Sequence, residues 1–349
     1  MTRLLFFMLS ASVLISPDLA TAADLSPGET PKMLVEVPGQ PLRSFDIGVV
    51  DEADNIYALA DRSNNGIDLI DTRTEKFLGR VGGFAGSGKR GSGGPNGLAL
   101  ADHGRLWAGD GDSIKVVDVR TRKVVDTIYT GGRKRVDEMA VDSRDHLVIA
   151  ANDADDPPFL TFISDNRDHR VEGRLTLRQA SGGLEQPVWD GRRNLVYVAM
   201  PEVDGIAGHG AIAVIDPVMR RLVRMITVPK CRPAGMALGA RDRLLVGCRN
   251  ENTLIIDPGD GRIVSAIREV GGADEVWYDG KHYYVAAAAN RGGPVLGVID
   301  ARTGRWVANI PTEPHAHSVA ADSGTGRVFV PIAAGKGLCH SGCIAVFVP

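Results

Sequence analysis

Ile67-Asp68-Leu69-Ile70-Asp71 is a short apolar run closed by an aspartate, and the chain keeps returning to it. The run recurs as Ile114-Lys115-Val116-Val117-Asp118, Ile212-Ala213-Val214-Ile215-Asp216, Leu254-Ile255-Ile256-Asp257 and Leu296-Gly297-Val298-Ile299-Asp300. Leu160-Thr161-Phe162-Ile163-Ser164 is a weaker copy, and Ile344-Ala345-Val346-Phe347-Val348 is the last. The copies lie roughly 40 to 50 residues apart, the period of one four-stranded blade.

Around each copy the same pattern can be read. A strand such as Gly97-Leu98-Ala99-Leu100 meets the polar turn Asp102-His103-Gly104, then a second strand, Arg105-Leu106-Trp107-Ala108. The aspartate-closed run is the third strand. After a turn such as Asp300-Ala301-Arg302-Thr303-Gly304 comes an alternating fourth strand, Arg305-Trp306-Val307-Ala308-Asn309-Ile310. Short β-branched runs between turn residues specify strands, and no long run with helical apolar spacing occurs outside the first residues. The chain is therefore expected to be all-β, a seven-bladed β-propeller of four-stranded blades. A pair of β-sandwiches, or six blades with an extra sheet, would also use strands of this length. The seventh unit stops after its third strand, while Met33-Leu34-Val35-Glu36-Val37 is a spare strand near the start. The spare strand is expected to complete the last blade, because an unpaired sheet edge invites mispairing.

Composition agrees with a large folded core. Of 349 residues, 44% are hydrophobic and 24% charged, which excludes a largely disordered chain. The 42 glycines and 19 prolines are spread along the sequence as turn punctuation. A formal net charge of −3 gives no support for non-specific nucleic-acid binding. Residues 1–23 read as a secretory signal: Arg3, an apolar run from Leu4 to Ile15, and the small-x-small site Ala20-Thr21-Ala22. The apolar run falls short of the ~20 residues that span a bilayer. Residues 24–349 then form one exported propeller domain, periplasmic or secreted, with no transmembrane segment. Export permits disulfides. Cys231 and Cys248 fall nearly opposite each other on neighbouring strands of unit five, and Cys339 and Cys343 bracket a short loop, so these two pairs are expected. The alternative is soft-metal binding by Cys339, His340 and Cys343.

Aligning the first strands on their closing positions (Asp51, Ala101, Asp142, Asp190, Gly239, Asp279 and Asp322) yields two columns near the strand entrances. The first holds Asp46, Asn96, Asp137, Glu185, Ala234, Asp274 and His317; the second holds Ile47, Gly97, Glu138, Gln186, Gly235, Glu275 and Ser318. First strands of a propeller line its central channel, so each column becomes a ring. Crowded carboxylates must be solvated, protonated or matched by a cation. With Asn96 they suit Ca²⁺, and His317, with His315 nearby, extends the choice to Zn²⁺. The plainer alternative is that these residues cap strand entrances and bind channel water.

Two families are similar. The repeated strand, as in Asn65-Gly66-Ile67-Asp68-Leu69-Ile70-Asp71-Thr72-Arg73-Thr74, resembles the YVTN/YncE-like seven-bladed propellers over nearly the whole mature chain. That resemblance implies an exported binding or accessory protein. Gly183-Leu184-Glu185-Gln186-Pro187-Val188-Trp189-Asp190 and Pro95-Asn96-Gly97-Leu98 resemble metal-bearing strands of SMP-30/gluconolactonase-like propellers. This second resemblance implies Glu185 and Asn96 as ligands of one divalent metal. Arg232-Pro233-Ala234-Gly235-Met236 is similar to a third such strand, with Ala234 where that family has Asp; Asp274 or Asp137 would have to substitute.

Other features carry less chemistry. Gly86 to Gly94 lacks Walker spacing and reads as a flexible connection whose Lys89 and Arg90, with Arg133-Lys134-Arg135, form a solvated basic lip. His209 lies in a long loop, and Trp277 or Tyr278 beside Glu275 could line a pocket. No Gly-x-Ser-x-Gly, His-Glu-x-x-His or Cys-x-x-Cys-His motif is present. Three readings follow. One is an exported binding propeller with a polar, acidic mouth for a small molecule, a cation or a periplasmic protein partner. Another is a metal-dependent hydrolase or lyase acting from the same ring. The third is a partner subunit of a periplasmic redox enzyme. The candidate binding residues are Asp46, Asn96, Asp137, Glu138, Glu185, Gln186, Arg232, Asp274, Glu275, His315 and His317; Asn96, Glu185, Asp274 and His317 are the candidate metal ligands.

Overall fold

The structure, a computed structural model, describes residues 30–88, 93–101, 104–250 and 252–348. Residues 1–23, read above as an expected signal, and the pair Lys89 and Arg90 lie outside the described residues. Seven antiparallel four-stranded sheets stand in a ring. Six are built from consecutive strands, beginning with blade 1: Gly48–Asp51, Ile56–Asp61, Gly66–Asp71 and Phe77–Gly82. Blade 7 takes Ala320–Asp322, Arg327–Ile332 and Cys343–Phe347 from the end of the chain and Met33–Glu36 from its start. That last strand pairs from Met33↔Val346 to Glu36↔Cys343, the closure anticipated from the spare strand. The first strands of neighbouring blades touch all the way round, blade 7 against blade 1 included.

Burial explains the sequence pattern. Second and third strands lie between neighbouring sheets, so Leu147–Asn152 and Gly66–Asp71 are covered almost throughout and read as continuous apolar runs. Fourth strands form the rim; Lys123–Tyr129 and Arg221–Pro229 alternate exposed and covered positions. The recurrent aspartates work as turn caps. Oδ1 of Asp51 accepts the backbone N–H groups of Ala53 and Asp54, and Oδ1 of Asp142, Asp190, Asp279 and Asp322 each does the same two and three residues on. Blade 2 has Ala101 at this position and blade 5 turns through a short 3-10 segment, Ala240–Asp242. At the closure, Tyr57 of blade 1 stacks on Phe329 of blade 7 at 4.8 Å, within a core that also holds Val35, Leu42 and Val346.

Both expected disulfides are present, and neither Cys339 nor Cys343 is left for a metal. No helix among the described residues is long and apolar enough to cross a membrane. The two ends of the ring differ. Turns on the lower face, which join first to second and third to fourth strands, are short. The longer connections, such as residues 130–138, 201–208 and 333–342, open on the upper face, where the first strands begin. The stretch Asp155-Asp156-Pro157-Pro158, irregular as sequence, is one of these upper loops, and the blade beneath it is regular.

Two stability predictions follow from this construction. Val35 is 5% exposed in the closing strand. Val35→Asp places an unpaired charge there and should lower unfolding stability by about 3 kcal/mol in denaturant titration, with aggregation as the blade 7 edge opens. Cys231 and Cys248 are 17 residues apart, so replacing both with serine should remove about 3 kcal/mol, while opening the shorter Cys339–Cys343 loop should cost less.

Candidate functional site

The backbone at the strand entrances shows that the first column is structurally equivalent from blade to blade. The N–H groups of Asp46, Asn96, Asp137 and Asp274 donate to the carbonyls of Ala60, Gly109, Ala151 and Ala286, the matching positions of the second strands. Each second-strand residue returns a bond to the carbonyl of the next column: Ile47, Gly97, Glu138 and Glu275. The entrances crowd together. A Cβ on Gly97 would lie 2.4 Å from the Asp137 carbonyl oxygen, and one on Gly235 the same distance from that of Asp274. Glycine at these two positions lets adjacent blades approach.

Three guanidinium groups occupy the ring of carboxylates. Arg62 is salt-bridged to Asp46 and donates from Nη2 and Nε to Asn96 Oδ1 at 2.8 and 3.1 Å, joining blades 1 and 2. Arg135 reaches Asp137 at 2.6 Å and Asp153 at 2.9 Å. Arg249 of blade 5 donates to Glu185 of blade 4 at 2.9 Å and Asp274 of blade 6 at 2.8 Å. His317 places Nε2 3.8 Å from Asp46, stacks on Phe45 at 4.8 Å and donates from Nδ1 to the His315 carbonyl at 2.7 Å. Sequence reading missed Arg62, Asp153 and Arg249, and it placed Arg135 on a solvated lip; the structure corrects this by putting Arg135 in the ring. The signal was available: Arg62, Asp153 and Arg249 each directly follow the second strand of their blade.

Burial and charge oppose each other throughout. Burial alone would push Asp46 up, but Arg62, with His317, holds it below the usual carboxylate range. Burial also acts against the His317 cation, yet Asp46 holds that imidazole above its usual value. Asp137 is pushed well up by burial, with Asp153 and Asp46 adding repulsion that Arg135 only partly offsets. Glu185 is pushed up to about 8 by burial against the pull of Arg249. Arg135 and Arg249, despite desolvation, are held charged by their carboxylate partners.

Deeper in the channel lies the second column. Gln186 Oε1 accepts the Met236 N–H at 2.7 Å. Glu275 Oε2 accepts the Ser318 hydroxyl at 2.5 Å and the Val319 N–H at 3.0 Å, and burial pushes this carboxyl up to about 8. Above the ring, a cleft of about 760 Å³ opens on blades 3 to 5, walled by Arg135, Glu185, Arg249, Arg178 and the 153–158 loop.

The remaining candidates separate. Arg232 is exposed, and its main chain bonds Asn250 and Arg249. His315 is exposed with φ +68° and stands over a different groove, beside Glu313 and Lys336. His209 begins the third strand of blade 4 and is exposed. The four candidate metal ligands converge as two pairs, Asn96 with His317 through Arg62 and Asp46, and Glu185 with Asp274 through Arg249. Their oxygens face guanidinium groups. Among the described residues no group of three or more His, Cys, Asp or Glu side chains is disposed to hold a metal ion. As arranged, the donor set fits arginine and does not fit a divalent ion.

No family model matches this chain, and no curated protein matches it. Solved structures do. A chain of a mitotic checkpoint complex superposes with TM-score 0.71 at 12% identity over 100% of this chain and 99% of its own. A chain of Kuenenia stuttgartiensis hydrazine synthase superposes with TM-score 0.71 at 12% identity over 94% and 99%. At such identity the likeness is one of fold, and it agrees with the seven-bladed ring.

The site makes stability depend on pH. Glu275 titrates near 4.5 when unfolded and about 8 when folded. Between those values only the folded chain keeps the proton, so this contribution is complete below the lower value and lost as pH rises through the upper one. The melting temperature should fall between about pH 4.5 and about pH 8, and Glu275→Gln should flatten that fall in calorimetry.

Proposed function

We propose that this chain is a non-catalytic binding propeller of the YVTN/YncE kind, exported by its N-terminal segment, that holds a small polar molecule at the upper mouth of the channel. The observation that carries this reading is the wall of the 760 Å³ cleft, where Arg135, Glu185 and Arg249 arrive from three successive blades, fixed by ion pairs of 2.6 to 2.9 Å. Side chains held in place before binding lose little entropy on binding. The cleft mixes Lys134, Arg135, Arg178 and Arg249 with Asp153, Asp155, Asp156 and Glu185. Near-balanced charge of this kind suits a ligand that carries both anionic and donor groups, such as an amino acid or a hydroxy acid. The two disulfides accord with an oxidising compartment.

A thermal-shift panel of amino acids, hydroxy acids and sugars on the mature protein should reveal a stabilising ligand. Arg135→Ala and Arg249→Ala should each weaken its binding at least about tenfold, roughly 1.4 kcal/mol, with the circular dichroism of the fold retained. Ligand affinity unchanged in both variants would reject the cleft. A stoichiometric divalent ion in the purified protein, lost on Glu185→Ala, would replace this reading with the metal-dependent one.

A further inference from the structure

The repeat breaks at one turn of the lower face. In the second strands of blades 4 and 6, Tyr197 and Tyr284 donate their hydroxyls to the turn aspartates Asp190 and Asp279 at 2.9 and 3.0 Å. Trp107 holds the same place in blade 2: it pairs with Ala99 as Tyr197 pairs with Val188. Blade 2, however, has Ala101 where those blades have aspartate. Trp107 is 1% exposed, and its indole N–H has no acceptor among the described residues. A buried indole N–H ordinarily finds one. This N–H is not fully enclosed, and Trp107 forms part of the wall of an open hollow of about 450 Å³ between blades 2 and 3.

The other groups of the hollow select the acceptor. Arg105, Arg120 and Arg167 line it, and among the described residues none of the three guanidinium groups has an ion pair or a hydrogen bond. His169 stands beside them with Nδ1 2.6 Å from Asp126 Oδ2, and its ring meets Trp107 edge to face at 5.1 Å, which holds the indole from the side. The carboxylates in the wall have other settings: Asp118 caps its own turn through the Thr121 N–H, Asp165 lies 3.5 Å from His146, and Asp54 is exposed on blade 1. Three arginines against three aspartates leave room for one added negative charge rather than two, which favours a carboxylate over a phosphate. We propose that the hollow binds a small monocarboxylate that takes the place of the turn aspartate missing from blade 2, its oxygens accepting the Trp107 indole N–H and the Arg105 guanidinium, with Arg120 and Arg167 at the rim. The site is on the lower face, opposite the cleft at the mouth, and does not depend on what the cleft holds.

The chain has four tryptophans, so the indole N–H signals of the isotope-labelled mature protein can be followed singly by nuclear magnetic resonance, and Trp107→Phe identifies the relevant one. Sodium propionate at millimolar concentration should move the Trp107 signal downfield and saturate it. Propionamide, uncharged and of similar shape, should bind at least about tenfold more weakly, and Arg105→Gln should weaken propionate by a similar factor. Ala101→Asp gives blade 2 a turn carboxylate of its own, as in blades 4 and 6, and should abolish the response; it supplies the same reading if Arg105→Gln fails to fold, with circular dichroism as the check on each variant. No saturable shift of the Trp107 signal, equal binding of propionamide, or unchanged affinity in folded Ala101→Asp would overturn the proposal. Propionate binding lost in Arg135→Ala but kept in Ala101→Asp would place the ion in the cleft and reject this site. Failure of the polar-ligand panel at the cleft leaves the Trp107 response untouched, so the two readings fail separately.

Discussion

Closing seven sheets into a ring forces seven strand entrances into one narrow space, and much of the molecule follows from that crowding. Met33–Glu36 seals blade 7, so the ring has no free edge through which to relax. Glycine at positions 97 and 235 then lets entrances come within backbone contact. Carboxylates that are tens of residues apart in the chain become neighbours in a poorly solvated channel, where like charges raise one another's proton affinity.

Two solutions to that repulsion occupy different depths. At the mouth, Arg62, Arg135 and Arg249 supply countercharge, and each guanidinium spans two acceptors. Planar groups with several donors suit such bridges better than lysine would. Deeper down, among the described residues, no guanidinium bonds Glu275, and burial pushes that carboxyl up to about 8. The channel is thus charged and balanced above, protonated and apolar-walled below. A ligand with a polar end would meet different chemistry at the two levels.

The turn aspartates show how far pattern reading reaches. Asp51, Asp142, Asp190, Asp279 and Asp322 are visible as a periodic column, and their purpose is local: each caps its own turn within three residues. Strand order, blade number, the spare N-terminal strand and both disulfides were legible for the same reason, since they depend on contacts within a repeat or at its known offset. Asp46, Asn96, Asp137 and Glu185 were legible as positions but not as partners. The column placed them on a ring without saying what would lie between them.

What the amino-acid order determined alone is therefore the repeat: where strands begin and end, which residues cap their turns, and which positions face the axis. Those are short-range consequences of alternation, β-branching and turn chemistry. Only the closed ring decided that Arg249 would reach Glu185 and Asp274 in the blades on either side, and that Arg135 would leave the surface for the mouth. Only the ring buried Glu275 of blade 6 and set its Oε2 on the Ser318 hydroxyl of blade 7. The distinction is physical: local hydrogen bonds are set by sequence separation, whereas the pairing of charges across an axis depends on the angle between blades, which no single repeat contains.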